Sequence, residues 1–260
     1  MLNAGRIIAP YGGQFHLQPE KRDLATPDYF FADTRDEIKK AIRENIHYGA
    51  TVIKLVVDDQ RYIYSVDDIK FAVEEAGKAG LKVAAHCWTQ QGARNAAAAG
   101  VASIEHGFQM PDDELKLAKK NDVVLVSTDF TEEVANDLGI PDAKAFHAIW
   151  VERLRRAHKI GVTIAFGTDV IHAKAGETRG TLAVSFITSF VEAGVSAKDI
   201  VRIMTTNAAR LLGVEQQRGA IKPGQAADII ATPDNPFDNI LTLKAVSFVM
   251  KNGVLFKQSK

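Results

Sequence analysis

Four side chains with metal-site chemistry stand in or at the ends of short apolar segments. His86 ends the segment LKVAAH, His106 ends SIEH, Asp169 ends VTIAFGTD, and Lys54 lies inside TVIKLVV. Imidazole nitrogens and a carboxylate are ligands that zinc and similar divalent ions prefer. A lysine inside a doubly buried strand is costly unless it is neutralised or paired. Together, these residue types indicate a metal site.

Each residue also has a plainer explanation when it is taken alone. A single histidine at a strand end is more often a hydrogen-bonded pocket residue than a ligand. Asp169 alone would suit a turn or a helix cap, and Lys54 could extend its ammonium group to water. All four, however, occupy equivalent positions in four different strand–helix units. That joint occurrence favours the metal site over four separate explanations.

The segments that carry these residues alternate with helical patterns from residue 34 to about 213. Thr34 and Glu37 have the spacing of a capping box at a helix start, and Ser65 begins the next helix. Strands separated by single helices require crossover connections and predict a parallel sheet. Five such units, with RIIA near the start as a sixth candidate strand, suit an open doubly wound sheet or most of an eight-stranded barrel. In a barrel, the chemistry lies at the carboxyl ends of the strands.

The chain changes character from about Gly219. AADIIA, AVSFVM and GVLF are apolar strand patterns with no helix between them, and Asn252-Gly253 is a strong hairpin signal between the last two. We therefore expect a small β unit at the C-terminal end.

Composition limits the classes of partner. The 32 basic and 32 acidic residues balance, which gives no electrostatic reason to expect nucleic acid or an anionic membrane. Without a run of about 18 apolar residues, no membrane span is predicted. The lone Cys87 excludes an intrachain disulfide and suits a reducing, cytoplasmic location. A nucleotide-binding α/β domain is disfavoured because no glycine-rich phosphate motif follows a strand.

Several of these segments resemble the amidohydrolase superfamily. ATVIKLVVDD, KVAAHCWTQQGARNAAAAGVASIEHG and VTIAFGTDV are similar to its strands four, five, six and eight, and TTNAARLLGVEQQRGAIKPGQAADII resembles the C-terminal signature of the imidazolonepropionase-like, prolidase-like branch. The resemblance implies a (β/α)8 TIM-type metal-dependent hydrolase barrel. Residues 1–213 would supply strands three to eight of that barrel, and residues 214–260 the C-terminal part of a small β-sandwich.

The resemblance also implies a role for each matching residue. Lys54 would be carboxylated by carbon dioxide and bridge two metals, His86 and His106 would hold the more exposed metal, and Asp169 would bind the other and act as general base. The implied reaction is hydrolysis of an amide bond, in a dipeptide or an N-acyl amino acid, by water that the metal activates. The partner would be that small-molecule amide.

One departure from the family pattern concerns the first barrel strand, which carries His-x-His in the family and has no counterpart in the printed sequence. We therefore expect an N-terminally truncated chain that holds one zinc-like ion or fewer. The alternative is a catalytically impaired fragment or degenerate relative. His16 is a weak candidate for a substitute ligand.

The remaining expectations concern neighbouring residues. His172 and Tyr64 are candidates for substrate contact, with loop solvation and packing as their plainer explanations. His147 and His158 are expected at the surface of a long helix. Finally, an opened barrel would leave RIIA and VTIAFG as edge strands, and unpaired edges predict self-association.

Overall fold

The computed structural model of the chain describes residues 2–14 and 18–258, and these form two compact units. The first unit comprises Met1–Val126 and Ile160–Thr163, and the second comprises Ser127–Lys159 and Ile164–Lys260. Among the described residues, no helix combines the length and the apolar character that crossing a bilayer requires.

The first unit is an α/β structure built on six parallel strands. The strands are β1 (Ile7–Ala9), β2 (Tyr29–Phe31), β3 (Ile53–Val56), β4 (Val83–Cys87), β5 (Ser103–His106) and β6 (Val124–Val126). The helices are α1 (Arg35–His47), α2 (Val66–Gly77), α3 (Gln90–Ala99) and α4 (Asp112–Lys120), with a short 3-10 helix at Pro19–Leu24. Within the unit the strand order is β2-β1-β3-β4-β5-β6, and every neighbouring pair is parallel.

The predicted helix starts are confirmed. Thr34 accepts a hydrogen bond from the backbone of Glu37, and the Glu37 carboxylate in turn accepts from the backbone of Thr34. Ser65 caps α2 by accepting from the backbone of Asp68. The central strand β3 is buried on both faces, as the adjacent residues Leu55 and Val56 show, because successive side chains of a strand point to opposite faces.

The expectation that the RIIA segment would be a sheet edge is wrong. That segment is β1, which lies between β3 and β2. The backbone N–H of Ile7 donates to Asp28, and that of Ala32 donates to Ala9, so the β1 ladder is paired on the side where the edge was expected. Strand β2 is the outermost strand at this end of the unit instead.

The second unit is mostly helical and ends in a small antiparallel sheet. Its helices are α5 (Glu132–Asp137), α6 (Ala143–Ile160), α7 (Arg179–Ser185), α8 (Ile187–Glu192), α9 (Ala197–Arg202) and α10 (Ala208–Leu212), with a π-helix at Ile203–Asn207 and a 3-10 helix at Ile240–Ala245. Its strands are β7 (Ile164–Ala165), β8 (Ile229–Ala231), β9 (Phe248–Lys251) and β10 (Val254–Gln258). Asn252 and Gly253, both with positive φ, turn β9 into β10, which confirms the predicted hairpin.

Helix α6 contributes polar side chains to the core of the second unit. The expectation that His147 would be a surface residue is wrong: it is buried, its Nδ1 donates to the carbonyl oxygen of Phe130 at 2.7 Å, and its Nε2 lies 2.6 Å from Glu192 Oε2. Arg153, six residues further along the helix, is fully buried against Asp129. Both side chains lie on the apolar stripe of the helix that includes Trp150.

Candidate metal centre

The carboxyl ends of β4 and β5 bring two histidines together. His86 is the penultimate residue of β4 and His106 is the last residue of β5. Their ring centroids lie 4.6 Å apart with the planes at 68°, and both residues are buried. Two of the four residues predicted to form a metal site are therefore in contact, at the strand ends where barrel enzymes carry their chemistry.

The backbone at the end of β5 sets the position of His106. In the sheet register His106 pairs with Cys87, so simple alternation would place it on the face opposite His86. Its φ is +65°, a left-handed conformation that is uncommon for a residue with a side chain. Gly107 follows with φ +56°, and a Cβ there would lie 2.6 Å from the sulfur of Met110. This tight turn accompanies the placement of the His106 ring against His86.

Two carboxylates that were not predicted, those of Asp58 and Asp59, form a cluster with His86. They follow β3 after one residue, Val57, and one ligand atom from each lies within 4.8 Å of the other and of a His86 ring nitrogen. Asp59 Oδ2 is 2.7 Å from His86 Nε2, whereas Asp58 Oδ1 is 3.8 Å from it. Their position in the sequence could have indicated both residues, because they directly follow the strand pattern TVIKLVV, just as the two histidines stand at strand ends.

The atoms of this cluster suit a divalent cation. His86 Nε2 is buried and, among the described residues, has no hydrogen-bond partner of acceptable geometry, even though Asp59 Oδ2 is so close. A nitrogen and a carboxylate oxygen that approach each other out of line for a hydrogen bond can both direct lone pairs at one ion. Nitrogen and oxygen donors in a buried setting are typical of zinc sites.

Two polar side chains, those of Gln14 and Tyr29, form hydrogen bonds next to this cluster. Gln14 Nε2 donates to Asp59 Oδ2 at 2.9 Å and lies 3.4 Å from His86 Nδ1. The Tyr29 hydroxyl donates to Gln14 Oε1 at 2.7 Å. Such outer contacts fix the orientation of metal-binding side chains.

Lys54 lies in β3 on the same face of the sheet as His86. The register pairs Val56 with His86 and Lys54 with Ala84, and residues two apart on a strand share a face. Lys54 is half-buried. Its carboxylation stays a prediction.

The other predicted site residues are each described by their own surroundings. Asp169, in the second unit, is exposed in the segment after β7 and has φ +46°. His172 Nε2 is 3.9 Å from Asp137 Oδ2. Tyr64 is buried, its hydroxyl donates to the carbonyl oxygen of Ala32 at 2.5 Å, and burial raises its pKa. The roles of these three residues in catalysis or substrate contact stay predictions, and His16 lies outside the described residues.

A cavity of about 720 Å³ also occurs in the first unit, at the amino ends of β1 and β2. Arg6, Ile7 and Tyr29 are among its lining residues, and the Arg6 guanidinium is already paired with Glu44 at 2.6 Å. This cavity is at the opposite end of the strands from His86, and neither His86 nor His106 lines it.

Comparison with known proteins places the chain in a family. The model of the amidohydrolase family matches residues 15–256. Ochratoxinase from Aspergillus niger is 29% identical over 277 residues, which cover 98% of this chain and 56% of the relative. Imidazolonepropionase from Thermoanaerobacter pseudethanolicus is 28% identical over 196 residues, covering 74% of this chain and 43% of the relative. The chain thus spans about half the length of these two curated relatives.

Solved structures agree with that match. A Xaa-Pro dipeptidase with methionine bound in its active site superposes with a TM-score of 0.84 at 29% identity, covering 98% of this chain and 68% of the other. The structure of A. niger ochratoxinase gives a TM-score of 0.82 at 25% identity, with 99% and 66% covered. The α/β fold class and the resemblance to this superfamily are confirmed, and the chain belongs to the amidohydrolase family.

Proposed function

We propose that the chain is a metal-dependent hydrolase that cleaves the amide bond of a dipeptide or an N-acyl amino acid. Family membership supports hydrolysis of carbon–nitrogen bonds. The similarity to a dipeptidase with an amino acid bound in its active site supports the substrate class. The observation that carries the proposal is the buried His86 Nε2, which faces Asp59 without a hydrogen bond and lies beside His106.

The residues that would hold the cation are His86 and His106, with Asp59 adjacent and Lys54 on the same sheet face. When bound, such an ion would supply Lewis acidity, which would polarise the scissile carbonyl and lower the pKa of a water molecule from 15.7 to about 7. For Lys54 to contribute, its neutral amine would form a C–N bond to carbon dioxide and release one proton. The resulting carbamate would offer oxygen ligands in place of an ammonium group.

In this proposal Asp169 accepts and then donates the proton that is transferred during the reaction. The oxygen of the attacking water forms a bond to the carbonyl carbon while its proton passes to the Asp169 carboxylate. The carbon–nitrogen bond then breaks, and Asp169 returns the proton to the leaving nitrogen. Without that proton the nitrogen would leave as a strongly basic anion, which is a poor leaving group. The products are a carboxylic acid and an amine.

Release of free amino acid from a panel of dipeptides and N-acyl amino acids tests the proposal. The purified 260-residue chain would be assayed with added zinc, cobalt or manganese. We expect metal-dependent turnover that falls by at least about 100-fold in His86→Ala, His106→Ala or Asp169→Asn, because each removes a metal ligand or the proton acceptor. His47→Ala, which alters an exposed histidine on α1, is the matched control. Turnover that persists in His86→Ala or in excess chelator would contradict the assignment.

A further inference from the structure

Asp58 and Asp59 are adjacent in the sequence, but their carboxylates have different surroundings. The Asp58 side chain is fully buried, whereas 26% of the Asp59 side chain is exposed. Asp59 directs Oδ2 at His86 Nε2, while the nearest Asp58 oxygen is 3.8 Å from that nitrogen. Their proximity to His86 alone therefore does not assign them the same role.

Backbone and hydroxyl donors already occupy the Asp58 carboxylate. The Trp88 N–H donates to Oδ1 at 2.8 Å and lies 3.1 Å from Oδ2. The Thr89 N–H and the Thr89 hydroxyl both donate to Oδ2, at 2.8 and 2.7 Å. A carboxylate has about four acceptor positions, so these three donors fill Oδ2 and leave Asp58 one position, on Oδ1, which lies 3.8 Å from His86 Nε2.

The same contacts extend into the start of α3. Thr89 is the N-cap of this helix, and its hydroxyl oxygen accepts from the Gly92 N–H at 3.0 Å while its hydrogen goes to Asp58. A Cβ on Gly92 would lie 2.0 Å from Asp58 Oδ2. The carboxylate also sits at the helix N-terminus, where negative charge is favourable. The position of the Asp58 carboxylate therefore depends on the Thr89 hydroxyl and on the absence of a side chain at Gly92.

The loop that Asp58 holds begins immediately after β4. His86 is two residues before Trp88, and the Trp88 indole stacks on Phe108 with centroids 4.8 Å apart. The Trp88 ring also lies 6.2 Å from the ring of His106. Any movement of the Trp88–Thr89 backbone would therefore reach both histidines.

We propose that Asp58 is a positioning residue rather than a metal ligand. It fastens the loop after β4 to the end of β3, and by this means fixes His86 and the Trp88 ring beside His106. Asp59, whose Oδ2 lies 2.7 Å from His86 Nε2, is the carboxylate that we assign to the cation. The role in metal binding rests on the proposed function, whereas the fastening of the loop is a property of the metal-free chain.

Hydrogen exchange of the Trp88 and Thr89 amides in metal-free protein tests the fastening. We expect Asp58→Asn to speed exchange of both backbone amides by about 10-fold or more. The asparagine side chain keeps one acceptor oxygen and replaces the other with an NH2 group, which cannot accept from a backbone N–H. Asp59→Asn is the matched control and should leave both amides unchanged. Unchanged exchange in Asp58→Asn would overturn the proposal.

Thr89 provides a second route if Asp58→Asn fails to fold. Thr89→Val removes the hydroxyl with little change of shape and should speed exchange of the Gly92 and Thr89 amides. Thr89→Ser keeps the hydroxyl and should restore slow exchange. Equal exchange in both Thr89 variants would show that the hydroxyl bridge does not hold the loop.

Metal binding then separates positioning from ligation. Cobalt would be titrated into the full chain, with the visible ligand-field spectrum and a competing chelator as readouts. We expect Asp58→Asn to weaken affinity by about 10- to 100-fold with unchanged band positions, as for a residue that acts through a ligand. Asp59→Asn should shift the bands. Shifted bands in Asp58→Asn would make Asp58 a ligand and overturn the proposal.

If the wild-type chain binds no cobalt at all, the proposed function fails while the amide exchange still decides whether Asp58 fastens the loop.

Discussion

Arg153 Nη2 and Asp129 Oδ1 lie 2.7 Å apart inside the second unit, and neither side chain is exposed to water. Ser127 donates its hydroxyl to the same carboxylate. Burial raises the pKa of Asp129 and lowers the pKa of Arg153, because the charged form of each group is poorly solvated there. Each charge is thus tolerated mainly because the other is present.

Removal of one partner of this pair should be far more damaging than removal of an exposed arginine. We expect Arg153→Met to lower the free energy of unfolding by about 3–5 kcal/mol, since it leaves the Asp129 carboxylate buried and uncompensated. Arg155→Met, on the same helix but exposed, should cost less than about 1 kcal/mol. Urea unfolding would measure both, and equal losses would argue against a dependence on burial.

Two glycines in helices should respond in opposite directions to alanine. Gly77→Ala meets no atom within 4 Å and should stabilise the chain by roughly 0.5–1 kcal/mol through helix propensity. Gly92→Ala should instead destabilise by about 1–3 kcal/mol, because its Cβ would displace Asp58. Thermal and urea unfolding of the two variants provide the comparison. Stabilisation by Gly92→Ala would show that Asp58 can move at little cost.

Glu75 should give the first unit a contribution to stability that depends on acid pH. Its carboxylate accepts from Lys78 at 2.6 Å and from Arg43 at 2.7 Å, and these hydrogen bonds, that of Lys78 foremost, lower its pKa from the ordinary 4.5. A lowered folded-state pKa means that the contribution is complete above 4.5 and disappears as the pH falls through the folded value.

We therefore expect Glu75→Gln to lower the unfolding free energy by about 1 kcal/mol at neutral pH. The difference from wild type should vanish in strong acid. Unfolding curves collected from neutral pH downwards would show this, with the exposed neighbour Glu74→Gln as the control. A difference that grows as the pH falls would have the wrong sign.

Metal content should reflect the two neighbouring histidines. After dialysis, elemental analysis of the chain should find one zinc-like ion or fewer, and His86→Ala or His106→Ala should remove it because both imidazoles are needed as ligands. Two ions per chain at full occupancy would reveal a further set of ligands.

Self-association remains a prediction and has an identifiable surface. Side chains of the small C-terminal sheet are exposed although they are apolar; they include Ile230, Val254, Leu255 and Phe256. Exposed apolar patches favour association. Light scattering after size-exclusion chromatography should detect a dimer or larger species, and Phe256→Lys should reduce it. Tyr62→Lys, at another exposed aromatic residue, is the control. A monodisperse wild-type monomer would contradict the expectation.

Local sequence signals predicted the regular elements well. The capping box at Thr34, the hairpin at Asn252-Gly253 and the apolar strands that end at His86 and His106 each depend on neighbouring residues, so they can be read from a short window. Strand β2 could not be predicted in this way. Its three residues are too few to show a reliable alternation of apolar and polar side chains, and their strand conformation comes from pairing with β1.

Polar residues were harder to place than apolar ones. His147 and Arg153 were not predicted in the core, since their burial depends on partners distant in sequence, Glu192 and Asp129. Asp58 and Asp59 were within reach of the strand-end rule. Their different surroundings, however, depend on the loop that begins at Trp88 and on the position of His86.

The fully buried Cys87 lies next to His86 on β4 and is the chain's single thiol. Burial raises its pKa, which suppresses the thiolate that reacts with alkylating reagents. Alkylation must therefore wait for β4 to open, and its rate measures how often the sheet beside the histidines opens in the native state. Comparison of that rate with and without zinc would give the stabilisation of this strand by the metal, without any substrate.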